Sequence, residues 1–127
     1  MTQNETTHLT VLLVEDFEDA RHFMRMELER HGYRVIEADD GKRAVELALS
    51  ERPDIILMDL SLPGIDGFAA TEEIRKHEEM RNVPIVAVTA HQEADLRMGA
   101  KTSGFNAYLT KPVDMDWLSE LIPTLIS

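Results

Sequence analysis

The stretch Asp54-Ile55-Ile56-Leu57-Met58-Asp59-Leu60-Ser61-Leu62-Pro63-Gly64-Ile65-Asp66-Gly67 decides how the rest of the chain is read. Its four consecutive apolar residues, Ile55 to Met58, are too few for a helix of their own. They lie between a Pro53-Asp54 break and a Pro63-Gly64 turn, which marks a strand buried on both faces, as in a parallel sheet. The strand ends on a carboxylate, Asp59. Open α/β sheets place their sites at the carboxyl ends of strands, so Asp59 is either a turn or capping residue or part of a site.

Upstream, Leu9-Thr10-Val11-Leu12-Leu13-Val14 is a second short apolar run, and it ends on Glu15-Asp16. From Phe17 the period becomes helical. Ala20, Phe23, Met24, Leu28 and His31 form one stripe, and Gly32 is placed as a C-terminal cap. Tyr33 to Ala38 is a more polar strand, expected nearer a sheet edge. Asp39-Asp40-Gly41 starts a second helix with Ala44, Val45, Ala48 and Leu49 inward, and Arg52-Pro53 stops it.

Downstream, Asp66 caps a third helix with Phe68, Thr71 and Ile74 inward. Pro84 to Val88 is a fourth strand ending on Thr89-Ala90. Glu93 to Ser103 reads as a short helix with a weak apolar face, ended by Gly104. Phe105 to Leu109 is a fifth strand, followed by Thr110-Lys111-Pro112. Asp114 caps a last helix with Met115, Leu118, Leu121, Ile122 and Leu125 on one stripe, and Pro123 is expected to kink it or end its regular part. Strict alternation of five strands and five helices predicts a single doubly wound α/β domain over residues 9–127, with helices on both faces of a five-stranded parallel sheet. Residues 1–8 are expected to form a flexible N-terminal segment.

Composition narrows the function classes. At 127 residues the chain fits one domain, able to bury roughly two thirds of its extended surface without a staple. It contains no cysteine, so neither a disulfide framework nor a thiolate site is available. Met1 to His8 is unlike a signal peptide, and no apolar run approaches a membrane span. A soluble cytoplasmic protein is expected. The formal net charge of −11, with basic residues scattered among acids, argues against a nucleic-acid backbone as partner and toward a cation or a basic protein surface.

Residues just after the strands share one edge of such a sheet. Glu15-Asp16, Asp59, Thr89 and Lys111 therefore converge. Two carboxylates about 4 Å apart repel by ~1 kcal/mol in water and ~4 kcal/mol at an effective dielectric of 20. A hard divalent cation such as Mg²⁺ offsets that repulsion and leaves positions open for a phosphate oxygen. Lys111 supplies a point charge suited to phosphate, and Thr89 a hydroxyl donor. The arrangement suits phosphoryl transfer to Asp59 as nucleophile.

At this point the residues match a family. Val14-Glu15-Asp16, Met58 to Gly67, Pro84 to Ala90 and Tyr108-Leu109-Thr110-Lys111-Pro112 resemble the receiver domain of two-component response regulators, across roughly Leu9 to Ile126. The resemblance implies a flavodoxin-like (βα)5 fold of strand order 2-1-3-4-5. It implies Asp59 as phosphoacceptor from a histidine kinase or histidine phosphotransfer protein. It also implies Mg²⁺ on Asp16, Asp59 and the Ser61 carbonyl, with Glu15 acting through water. Lys111 would pair with the phosphate and precede a cis proline. Thr89 and Tyr108 would form the switch, altering how the face of the fourth helix, fifth strand and fifth helix binds a downstream protein. Monomer and phosphorylation-linked dimer both remain open. Such a protein turns over no separate substrate and is not an enzyme in that sense. Ser61 and His91, each two residues beyond a site residue, lie where the family varies.

Rival readings meet specific obstacles. A flavin- or nucleotide-binding domain would want a small-residue phosphate loop where Glu15-Asp16 stands. An aspartyl phosphatase would carry a second Asp at Ser61. A phosphorylation-independent receiver-like interaction module is the alternative, opposed by the intact Asp16, Asp59, Thr89 and Lys111. Phe17 is read either as packing of the first helix turn or as a partner contact. His8, His22, His31 and His77 show no ligand spacing and are expected at the surface.

Overall fold

The computed structural model describes residues 9–90 and 104–126. The expectations for residues 1–8, for His91 and for the helix over 93–103 lie outside them. Five strands, β1 (Thr10–Val14), β2 (Arg34–Ala38), β3 (Ile55–Asp59), β4 (Ile85–Thr89) and β5 (Ala107–Thr110), form one sheet in the order β2-β1-β3-β4-β5. All four pairings are parallel. Between them run α1 (Glu18–Arg30), α2 (Gly41–Glu51) and α3 (Gly67–Arg75), a 3-10 turn at Glu78–Met80, and a C-terminal helix at Met115–Ile126. This is the doubly wound, flavodoxin-like order.

Strand alternation feeds two cores. Leu12, Val14, Ile56, Met58 and Ile85 face Ala44, Leu47, Ala48, Ala70 and Ile74 of α2 and α3. Val11, Leu13, Ile55, Leu57, Val86 and Leu109 face Met24 and Leu28 of α1 and Met115, Leu118 and Ile122 of the C-terminal helix. β1, β3 and β4 are buried along their whole length, because helices cover both of their faces. β2 lies at an edge and is only partly buried, as its polarity requires.

Local chemistry sets the helix ends. Asp40 accepts from Arg43 N–H at 2.7 Å and Asp66 from Ala69 N–H at 2.9 Å, capping α2 and α3. Asp114 accepts from Trp117 N–H at 3.1 Å, capping the C-terminal helix. Gly32, at φ 93°, ends α1 with Gly32 N–H donating to Glu29 O and Tyr33 N–H to Leu28 O, a Schellman closure.

Several expectations need correction. Phe17 and Phe23 are 62% and 55% exposed, so neither packs inward. His31 is likewise exposed and ties its Nδ1 to Glu27 O at 2.9 Å. Leu47 joins the core of α2 although the stripe omitted it. β5 begins at Ala107 and not at Phe105, because Asn106 Oδ1 accepts from Ile85 N–H at 2.8 Å and replaces a ladder bond with a side-chain one. Pro123 does not end the last helix, which continues to Ile126; the proline sits exposed in its final turn. His22, His31 and His77 are at the surface, as the lack of ligand spacing implied.

Gly67 matters to the site. It starts α3 directly over the end of β3, with its N–H donating to Leu60 O at 3.2 Å. A Cβ there would strike Asp59 O and stand 2.8 Å from Leu60 Cα, both backbone atoms. Gly67→Ala is therefore expected to destabilise the protein by about 2 kcal/mol or more, measured by urea unfolding. Native stability in that variant would mean that α3 can draw back from Asp59 without penalty.

Candidate functional site

Glu15 and Asp59 are each only 2% exposed, a burial that carboxylates reach only when paired. β1 and β3 lie side by side, with Val14 opposite Met58, so Glu15, just after β1, and Asp59, the last residue of β3, share the sheet edge. Lys111, reached through β5, joins them: its Nζ lies 3.0 Å from Glu15 Oε1 and 3.2 Å from Asp59 Oδ2. The remaining carboxylate oxygens take backbone donors. Phe17 N–H donates to Glu15 Oε2 at 3.1 Å and Ser61 N–H to Asp59 Oδ1 at 3.0 Å. Asp16 is exposed beside them, and Glu15, Asp16 and Asp59 each offer an oxygen within 4.8 Å of the others.

The electrostatics follow from burial. Removal from water pushes the Asp59 carboxyl up to about 6, helped by the neighbouring Glu15 charge and opposed by the Ser61 N–H and by Lys111. Burial alone would lower the Lys111 ammonium. The hydrogen bond to Glu15 and the charges of Asp59 and Glu15 outweigh it and raise the group instead.

The other expected residues take different places. Thr89 is buried at the end of β4, and its carbonyl accepts from Lys111 N–H at 2.9 Å, tying the lysine's backbone to it. The Lys111–Pro112 bond is cis, as the resemblance implied. Ser61 is exposed and meets Asp59 through its N–H. Tyr108 is half-buried opposite Ala87; its ring meets Phe105 edge-on at 5.8 Å, and Phe105 meets Phe68 in the same way at 5.9 Å.

Sequence reasoning missed Arg21, which donates to the Glu15 carbonyl at 2.9 Å and to Glu37 at 3.0 Å. Its contacts lie on the turn after β1 and on β2. No spacing rule on α1 points to either.

Among the described residues the cluster offers three carboxylates and no softer donor, which suits a hard, oxygen-seeking divalent cation such as Mg²⁺. A profile of the response regulator receiver domain matches residues 11–123. The chain belongs to the response regulator receiver family. It is 35% identical over 117 residues to protein PilH of Pseudomonas aeruginosa, spanning 92% of this chain and 97% of PilH. It is 33% identical over 117 residues to the polar-differentiation response regulator DivK of Brucella anthropi, spanning 92% and 95%. Among solved structures it resembles the receiver domain of a sensor histidine kinase from Pseudomonas aeruginosa PAO1, crystallised with a magnesium ion coordinated in the active site cleft. That match has TM-score 0.88 and 39% identity and covers 94% of this chain and 98% of that one. The chemotaxis protein CheY4 of Vibrio cholerae matches with TM-score 0.87 at 26% identity, over 93% and 98% of the two chains.

The charge on Asp59, buried beside Glu15, costs folding energy. Its folded pKa lies above the ordinary carboxylate value near 4, so between about pH 4 and pH 6 the folded chain holds more proton than the unfolded one. Stability from this group falls as pH rises through that window. In EDTA, Asp59→Asn is expected to be more stable than the native chain at pH 7.5 by about 1–3 kcal/mol. The gap should narrow toward pH 4.5. Urea melts at the two pH values measure it, and a pH-independent gap would contradict the assignment.

Proposed function

We propose that Asp59 accepts a phosphoryl group, in a Mg²⁺-dependent reaction, from the phosphohistidine of a histidine kinase or a histidine phosphotransfer protein. The change then switches binding to a downstream protein. The observation that carries this reading is the environment of Asp59: a buried carboxylate at a strand end, held by one backbone N–H, facing a lysine and flanked by two more carboxylates.

In the transfer, a carboxylate oxygen of Asp59 bonds to phosphorus while the phosphorus–nitrogen bond of the donor breaks. The imidazole leaves with the electron pair, and an acyl phosphate remains. Hydrolysis later returns the carboxylate and inorganic phosphate, so no separate substrate is turned over. Ser61 N–H, on Asp59 Oδ1, orients the nucleophile. Lys111 exchanges its contact with Asp59 for a phosphoryl oxygen, keeping its charge beside the developing negative charge. The Thr89 hydroxyl donates to a second phosphoryl oxygen, and Tyr108 moves with it.

Glu15, Asp16, Asp59 and the Ser61 carbonyl are the groups that would hold Mg²⁺, whose contribution when bound is to neutralise phosphoryl oxygens. The output surface is assigned to β5 and the C-terminal helix; the helix expected over 93–103, the third part of that face, lies outside the described residues. A cytoplasmic setting belongs to the same reading, supported by the cysteine-free sequence. Among the described residues, no helix is long and apolar enough to cross a membrane.

Intact mass after incubation with MgCl₂ and acetyl phosphate, or with a phosphohistidine donor, tests the proposal. One added phosphoryl group is expected, lost with EDTA and in Asp59→Asn. Retention of the group in Asp59→Asn, or no transfer from either donor, would overturn it.

A further inference from the structure

The turn that carries Glu15 and Asp16 is fixed by a network outside the acid cluster. Each polar atom of Glu15 has a partner. Its N–H donates to Ala38 O of β2 at 3.0 Å, and its carbonyl accepts from Arg21 Nη1 at 2.9 Å. Its two carboxylate oxygens meet Lys111 and Phe17 N–H, as above. The contact from Arg21 spans α1 and the turn that precedes it. That guanidinium is itself braced: its Nε donates to Glu37 Oε1 at 3.0 Å, and Arg25 Nη1 takes the other oxygen of the same carboxylate at 2.8 Å. Arg21 is the more enclosed of the two arginines, with 18% of its side chain exposed against 38%.

We propose that Arg21, braced by Glu37, is a positioning residue for the cation-binding turn. It holds the Glu15 carbonyl and thereby sets where Asp16, one residue on, presents its carboxylate. Two arginines share Glu37, yet only Arg21 also reaches the turn. Arg25 therefore serves as an internal control of equal charge. The proposal rests on the magnesium reading of the acid cluster and adds a residue to it. Groups of this kind, which orient ligands without touching the metal, change affinity by roughly 10–100-fold when removed.

Charge and position make opposite forecasts here. Arg21 is a cation near a cation site, so if it acted through its field alone, removing it would tighten Mg²⁺ binding. If it positions the turn, removing it weakens binding.

Calorimetric titration of the full chain with MgCl₂ decides between them. Arg21→Met keeps the apolar stem and is expected to weaken Mg²⁺ roughly tenfold or more. Arg25→Met is expected to bind as the native chain does, or slightly tighter. Arg21→Lys, which keeps one donor and the charge, is expected to fall between native and Arg21→Met. Amide hydrogen exchange at Phe17, whose N–H closes the turn on Glu15 Oε2, gives a metal-free reading. It should quicken in Arg21→Met and not in Arg25→Met.

Arg21→Met that binds Mg²⁺ as tightly as native or tighter, with unchanged exchange at Phe17, overturns the proposal. Equal weakening in Arg25→Met does so too, since it would assign the effect to the helix as a whole. A native chain that shows no Mg²⁺ binding at millimolar concentration instead overturns the magnesium reading; exchange at Phe17 then still decides whether Arg21 holds the turn.

Discussion

Two carboxylates removed from water cannot stand side by side without a positive charge, and the bridge from Lys111 to Glu15 and Asp59 supplies it. The acids come from β1 and β3, next to each other in the sheet, and the lysine from beyond β5 at the far edge. Only the completed order β2-β1-β3-β4-β5 brings all three to one rim. Each carboxylate also takes one backbone N–H, which leaves one oxygen apiece for the ammonium. In this state the lysine occupies the electrostatic role that a divalent cation would contest. In the proposed function the lysine's contact with Asp59 is exchanged, and such an exchange can be read by the rest of the fold.

The surrounding structure makes that exchange local in cause and wide in reach. Gly67 lets α3 begin against the backbone of Asp59, and Phe68, the next residue, starts an aromatic row through Phe105 to Tyr108 on β5. Thr89 holds the backbone of Lys111 through its carbonyl. On the opposite side Arg75 closes the far end of the sheet, donating to the carbonyls of Met80, Val83 and Gly104 and to Asn106 Oδ1. One end of the sheet carries the buried charges, and the other is pinned by neutral acceptors on a single guanidinium.

Much of this was legible in the sequence because the signals are local. Buried strands announce themselves as apolar runs cut off by acids; Asp66 and Asp114 cap the helices they were expected to cap, and Asp40 caps the helix that Asp39-Asp40-Gly41 was expected to start. What escaped reading depends on partners distant in the chain. Phe23 sits on an apolar period and yet faces solvent. The start of β5 shifted by two residues because Asn106 offered a side-chain oxygen to Ile85, a choice that no β-propensity contains. Arg21 looked like one more charge on the solvent side of α1. Its role exists only once β2 places Glu37, 16 residues on, beside it.

The central claim is that the fold needs a cation between Glu15 and Asp59, and that the lysine and the metal can each fill the place. Equilibrium unfolding of Lys111→Met, in EDTA and again in saturating MgCl₂, tests it most directly. The account predicts a clear loss of stability in EDTA, where both acids are left unpaired, and recovery of most of that loss with Mg²⁺. A variant as stable as the native chain in EDTA, or one whose loss Mg²⁺ does not repair, would contradict it.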